Sequence, residues 1–231
     1  MSMSGITWLR ATDPPDALPP TQFALLEPNG LLAVGGALTP EWLVHAYLRG
    51  IFPWYSDGQP ILWWTPDPRS VLFPEEFHVS RSLARTLRKA GYETRTDSAF
   101  ESVVAGCAAP RRGESGTWIT RAMHDSYVEL HRRGLAHSIE TWCAGRLVGG
   151  LYGVALGGVF FAESMYYLER DASKVAVARL VDECRERGIV LIDCQMATRH
   201  LQSLGARQLP RLEFEALLAR HARPAPRLWR T

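Results

Sequence analysis

HSIETWCAGRLVGGLYGVALGGVFFAESM, residues 137–165, is the stretch on which the fold turns. Its patterning has the period of strands, and two glycine-bearing breaks, Ala144-Gly145 and Gly157-Gly158, cut it into His137 to Cys143, Arg146 to Ala155 and Val159 to Met165. Links this short join antiparallel neighbours, so the reading is a three-stranded meander. Then the period changes. Asp171 offers a capping side chain, apolar positions follow at helical spacing to Arg187, and Gly188 closes a predicted helix. The apolar Ile189 to Ile192 reads as a buried strand ending at Asp193-Cys194-Gln195, and a helical pattern closes the chain.

This order makes an α+β mixed layer and resembles the GNAT acyltransferase fold. Upstream of it, Ser80 to Ala90, Asp97 to Ala108 and Thr120 to Arg133 read as capped helices. Residues 1–38 are rich in proline and glycine and predict coil and turns. Thr39 as cap, Pro40 at the first helical position and Leu43, Ala46 and Tyr47 at helical spacing predict a helix from Pro40 to Arg49. Four prolines and three tryptophans between Gly50 and Arg69 predict a packed aromatic loop or short strands. The expected division is a small N-terminal domain, residues 1–67, followed by a GNAT-like catalytic domain, residues 68–231.

Composition sets outer limits. At 231 residues, 46% hydrophobic, 22% charged and a net charge of +2, the chain is ordinarily globular, which excludes disorder and collagen-like repeats. Cys107, Cys143, Cys184 and Cys194 fall in no metal-binding spacing, and no leader pattern is visible, so a cytoplasmic protein with reduced thiols is expected, with no metal. No membrane segment is expected either, because the most apolar run, Leu147 to Phe161, carries five glycines. Lys89 and Lys174 are the two lysines among 26 basic residues. Seven arginines against Glu213 and Glu215 in residues 197–231 read as either a solvated face or a phosphate-facing patch.

Two places could carry chemistry. Period-two alternation puts Phe161, Glu163 and Met165 on one face, and a carboxylate between apolar neighbours is costly to bury alone. Either an arginine pairs with it or it forms the acidic wall of a substrate pocket. Asp193 and Gln195 share a face at the end of an apolar strand, where a carboxylate could accept an amine's proton and an amide orient it; a capping carboxylate is the plainer reading. Serine-hydrolase, P-loop and zincin patterns fail. Trp54, Trp63, Trp64 and Trp118 are either core or an aromatic shelf for a nucleobase.

Pro28-Asn29-Gly30-Leu31-Leu32-Ala33-Val34-Gly35-Gly36, Gly50-Ile51-Phe52-Pro53-Trp54-Tyr55, Ile61-Leu62-Trp63-Trp64-Thr65-Pro66-Asp67-Pro68-Arg69, Gly149-Gly150-Leu151-Tyr152-Gly153, Glu163-Ser164-Met165, Asp171-Ala172-Ser173-Lys174 and Leu191-Ile192-Asp193-Cys194-Gln195 resemble, in order, the bacterial leucyl/phenylalanyl-tRNA protein transferases, from about Phe23 to Phe214. The resemblance implies transfer of Leu or Phe from its tRNA to the α-amino group of proteins beginning with Arg or Lys, marking them for degradation. It implies Asp193 and Gln195 as the catalytic pair, Glu163, Met165 and Leu151 as pocket walls, and Trp54 and Trp118 as supports for the terminal adenosine. Ala162 and Tyr166-Tyr167 stand where that family has Gly and Phe-Ser. Alternation then sends Tyr167 to the face of Glu163 and Met165, where its ring would shrink the pocket and favour Leu over Phe.

An aminoacyl ester is already activated, so its aminolysis needs no cofactor. It needs a neutral amine, alignment with the carbonyl and stabilisation of an oxyanion. The expected partners are the 3′ aminoacyl-adenosine end of charged tRNA and basic N-termini, and the expected state is a monomer. Two other readings are a CoA-dependent N-acetyltransferase and a non-catalytic binder of aminoacyl-tRNA or basic N-termini. The first is poorly served, because Arg146-Leu147-Val148-Gly149-Gly150-Leu151 breaks the last position of the pyrophosphate loop and lies in a predicted strand.

Overall fold

Residues 5–89, 91–109, 119–224 and 229 are described in a computed structural model of the chain. The proline-rich N-terminal part holds more regular structure than its composition predicts. β1 (Thr7–Leu9) and β2 (Leu31–Gly35) pair in parallel, and β3 (Phe52–Pro53) and β4 (Leu62–Trp64) complete a sheet of order β1-β2-β4-β3. The expectation of coil over residues 1–38 therefore fails at β1 and at β2, the latter a short apolar run that packs into a core its own neighbours could not reveal. Between β2 and β3, α1 (Pro40–Leu48) starts as predicted, with Thr39 Oγ1 accepting from the Trp42 amide at 3.4 Å and Pro40 in the first turn.

A seven-stranded sheet follows. β5 (Arg69–Leu72), β6 (Tyr92–Thr96), β7 (Ala136–Cys143), β8 (Arg146–Leu156), β9 (Val159–Tyr167), β10 (Leu191–Gln195) and β11 (Arg207–Leu209) lie in the order β11-β5-β10-β9-β8-β7-β6. The predicted meander is β7-β8-β9, antiparallel throughout, and β10 returns parallel to β9. The intervening crossover is α5 (Ala172–Arg187), so the GNAT-like mixed layer is present. α2 (Arg81–Lys89), α3 (Phe100–Ala108), α4 (Arg121–Arg132), α6 (Arg199–Ser203) and α7 (Arg211–His221) complete the described α-helices. β5, β6 and β11 have too little alternation to be read from the sequence.

The two faces of this sheet bury different cores. On one, Phe100, Val103 and Val104 of α3 and Met123 and Tyr127 of α4 pack with Tyr47 of α1, Trp63 of β4 and Phe161 of β9. On the other, Ala176, Val177, Leu180 and Val181 of α5 pack on Leu151, Phe160 and Ile192. Each fully buried Val or Leu contributes about 1.5 to 3 kcal/mol relative to exposure. Gly153 lets β8 approach β9 closely, because a Cβ there would strike the Phe161 carbonyl and the Phe160 ring.

Candidate active site

Two β-bulges shape the site, and both break the alternation the sequence predicts. Where β8 meets β9, Tyr152 opposes Ser164 but Gly153 opposes Ala162, so Glu163 is the extra residue. The side chains on either side of it consequently change face. Glu163 turns toward Tyr127 and the α3/α4 core, whereas Met165 packs with its partner Leu151 on the α5 face. In β10, Asp193 opposes Val71 and Gln195 opposes Ser70, so Cys194 is extra, and Asp193 and Gln195 do not share a face. Bulges at the ends of pairing re-aim side chains in this way. Gln195 has φ +52°, held in place by its amide donating to Asp193 Oδ1 at 3.0 Å.

The re-aimed side chains meet in a cleft of about 220 Å³. One wall comes from the N-terminal sheet and its loops: Asn29, Phe52, Pro53, Trp54, Trp64 and Pro66. The other is Glu163 with Cys194, Gln195, Met196, Thr198 and Leu201. The N-terminal wall is clamped at its root. Asn29 Nδ2 donates to the Asp67 carbonyl at 2.9 Å and Asn29 Oδ1 accepts from the Asp67 amide at 3.1 Å, which explains why two distant motifs occur together.

Asp193 is fully buried, and its carboxylate is taken up by a fully buried Arg69 through Nε–Oδ1 at 2.8 Å and Nη2–Oδ2 at 2.7 Å. Arg69 also donates to the Gly50 carbonyl at 2.9 Å and lies over the rings of Phe52 and Phe214, 4.8 Å from each centroid. A carboxylate so engaged has no free oxygen facing the cleft. The Asp193 expected from the sequence, a capping residue or a free proton acceptor, is instead half of a bidentate buried pair.

Glu163 is the carboxylate that faces the cleft. Tyr127 donates to its Oε2 at 2.6 Å, while its Oε1 is buried without a partner among the described residues. Burial pushes its carboxyl up to about 7; hydrogen bonds from Tyr127 and Tyr47 and the charge of Arg69 oppose that rise, and Asp193 adds to it. Gln195 also lines the cleft, and its Nε2 is buried without a partner among the described residues. Burial and the Asp193 charge push the Cys194 thiol up, so it is no nucleophile at neutral pH.

Of the other expected residues, Trp54 lies on the cleft wall, 47% exposed, its carbonyl accepting from Trp64 Nε1 at 2.7 Å. Trp118 lies outside the described residues. Leu151 and Met165 pack behind the sheet and do not line the cleft. Tyr167 is 65% exposed and off the cleft, because the bulge at Glu163 separates its face from that of the carboxylate; Tyr166 is the ring that packs inward, against Gly106 of α3. The Leu-over-Phe preference expected of Tyr167 therefore loses its basis. Arg69, Tyr127 and Tyr47 escaped the sequence reading. Arg69 alone left a trace, as the last residue of the Ile61 to Arg69 motif.

Cations are exposed on α2. α2 exposes Arg81, Arg85 and Arg88, and none of them pairs with a described carboxylate. Thr86 of the same helix reaches Asp171 at 3.3 Å, which also takes Lys174 at 3.0 Å. Arg227 of the C-terminal patch lies outside the described residues, while Arg223 is turned onto the Ala219 and Ala222 carbonyls. Among the described residues no group of three or more His, Cys, Asp or Glu could hold a metal, and no helix is long and apolar enough to cross a membrane.

A carboxylate that burial lifts to about 7 and an amide, both lining one apolar cleft at the paired central strands β9 and β10 of a mixed sheet, suit an acyltransferase for amine acceptors. The chain belongs to the leucyl/phenylalanyl-tRNA protein transferase family and is an aminoacyltransferase. That family's profile matches residues 71–219 and its N-terminal domain's profile residues 36–67. A leucyl/phenylalanyl-tRNA–protein transferase of Stutzerimonas stutzeri is 56% identical over 97% of this chain and 99% of its own length. The protein of the same name from Nitrosomonas eutropha is 57% identical over 87% and 86%. Among solved structures, a GCN5-related N-acetyltransferase from Kribbella flavida is 14% identical with a TM-score of 0.41, covering 74% of this chain and 61% of its own. L-PGS from Bacillus licheniformis is 13% identical with a TM-score of 0.41, over 73% and 54%.

Proposed function

We propose that the cleft transfers Leu or Phe from charged tRNA to the α-amino group of proteins beginning with Arg or Lys, in the cytoplasm, as a tag for proteolysis. The observation that supports this reading is that Glu163 and Gln195 line one cleft wall, each with a buried polar atom, Oε1 and Nε2, that has no partner among the described residues. Glu163 accepts a proton from the acceptor's α-amine, whose ordinary pKa of about 7.7 to 8.0 leaves much of it charged at neutral pH. The amine nitrogen attacks the ester carbonyl carbon while Gln195 Nε2 donates to the oxygen that gains charge. The C–O bond to the ribose then breaks, the ribose oxygen takes the second proton that the attacking nitrogen gives up, Glu163 returns its proton to solvent, and an amide and a free 3′ hydroxyl remain. Asp193 and Arg69 position Gln195 and touch no substrate, and Trp54 offers a ring face to the terminal base.

Purified protein mixed with charged Leu-tRNA and an Arg-initiated peptide should yield a peptide longer by one Leu, joined through an amide. No product with this peptide, but product with acetyl-CoA, overturns the reading. Binding of charged tRNA without turnover of any basic N-terminus overturns it in favour of a binder. The phosphates of the acceptor stem are assigned to α2. Changing Arg81, Arg85 and Arg88 together to Ala should weaken tRNA binding and flatten the plot of log affinity against log salt by about 0.7 to 0.9 per lost contact. An unchanged slope in a filter-binding titration removes α2 from the interface.

A further inference from the structure

The N-terminal wall of the cleft is tied to the C-terminal helix by an arginine that no motif marks. Along Trp64-Thr65-Pro66-Asp67 the residues alternate: Trp64 and Pro66 line the cleft, while Thr65 and Asp67 are bonded to Arg211, the first residue of α7. Arg211 Nη1 donates to the Thr65 carbonyl at 2.9 Å, and the Arg211 amide donates to Asp67 Oδ1 at 3.0 Å. The exchange is reciprocal. Pro210 stands at the N-cap of α7 without a side-chain cap, so Asp67 supplies from 144 positions away an acceptor that the helix start lacks. The same segment is held by the turn before β2: the Thr65 amide donates to the Gly30 carbonyl at 2.7 Å, and Asn29 bonds both the amide and the carbonyl of Asp67. Gly30 itself has φ +88°, and a Cβ there would lie 2.5 Å from Pro66 Cα. Trp64 in turn donates Nε1 to the Trp54 carbonyl, so Asn29, Trp54, Trp64 and Pro66 form one connected wall with Arg211 as its anchor.

We propose that Arg211 and Asp67 are positioning residues that set the wall on which the donor's terminal adenosine lies. The inference rests on the role given to Trp54 above. Arg211 is one of the seven arginines of residues 197–231, for which the sequence leaves a solvated face or a phosphate-facing patch open. Its side chain is 16% exposed and its Nη1 is committed to a carbonyl, which suits neither. Its Nε lies 3.9 Å from Glu215 Oε1, a looser ion pair within α7. Arginine fits the place because its planar fork donates to a carbonyl from one nitrogen and turns another to a carboxylate, which a single ammonium does less well. Thr65 is fully buried, and a carbonyl left there without its donor is costly. The segment would shift to satisfy it, carrying Trp64 and Pro66 on either side.

Two donors test this: charged Leu-tRNA, and leucyl-adenosine, which carries the terminal base but no stem. Arg211→Met keeps the apolar stem and removes the donor. Asp67→Ala removes the acceptor at an exposed position, where folding should survive, and Asp67→Asn keeps an oxygen in its place. With either donor, KM should rise about 10-fold in Arg211→Met and in Asp67→Ala, the scale of one lost hydrogen bond to a charged group, while kcat changes little. Asp67→Asn should match the wild type, and the salt slope of tRNA binding should hold in all three. KM unmoved in both disruptive variants, with only Tm lowered, means the contacts are structural and the inference is wrong. A KM raised for charged tRNA alone, with a slope lower by about 0.7 to 0.9, makes Arg211 a phosphate contact and overturns it as well. Trp54→Ala separates the inference from the reading beneath it. KM for leucyl-adenosine unmoved there refutes the adenosine wall itself, whereas KM raised there but not in Arg211→Met refutes the positioning role alone.

Discussion

Changing Glu163 to Gln is expected to lower kcat/KM for transfer at pH 7 by about 10² to 10⁴-fold, the usual contribution of a positioned proton acceptor. The substitution keeps the shape of the side chain and lets Tyr127 still donate to the amide oxygen, so folding should survive. Charged-tRNA binding should also survive, because the substitution leaves the arginines of α2 in place. The pH profile carries the sharper expectation. In the wild type the rate should rise through about 7, where burial places the Glu163 carboxyl. In the Gln variant that limb should vanish, leaving the limb of the amine itself at about 7.7 to 8.0. A Gln variant within about threefold of wild type, with the lower limb intact, would return the acceptor role to another group; stopped assays of single turnover across pH 5.5 to 9 decide it.

How much of this site was legible in the sequence depends on what each part needed. The meander His137 to Met165 and the crossover helix were readable because their periods are local and their breaks are glycines. The same regularity misled at Glu163 and at Gln195. A bulge is one extra residue, has no sequence mark of its own here, and reverses every face beyond it. The bulge at Glu163 sent Met165 and Tyr167 away from the cleft, and the bulge at Cys194 re-aimed Gln195 relative to Asp193. The motifs containing Glu163, Asp193 and Gln195 pointed to the right strands, but the motif does not say which carboxylate faces substrate. That distinction comes from Arg69, 124 positions away, and from two tyrosines on helices that only the fold brings together.

The second large effect is expected at the Arg69–Asp193 pair. Asp193→Ala leaves an arginine buried without its counter-charge, which costs about 3 to 5 kcal/mol. For a chain of this length, at about 2 to 4 °C per kcal/mol, Tm should fall by roughly 6 to 20 °C. Transfer should fall as well, since the Gln195 amide loses the oxygen that holds its left-handed backbone. Stability and positioning are separable, because replacing a buried pair by apolar residues of similar volume is often neutral or stabilising. Arg69→Met with Asp193→Leu should therefore regain most of the lost Tm in a thermal melt. It should not regain transfer, because an isobutyl group accepts nothing from Gln195. If the double variant recovers rate along with Tm, then Asp193 acts only through folding and Gln195 needs no anchor. If it recovers Tm alone, with kcat depressed and Kd for charged tRNA unchanged, the carboxylate's function is to set the amide that receives the oxyanion.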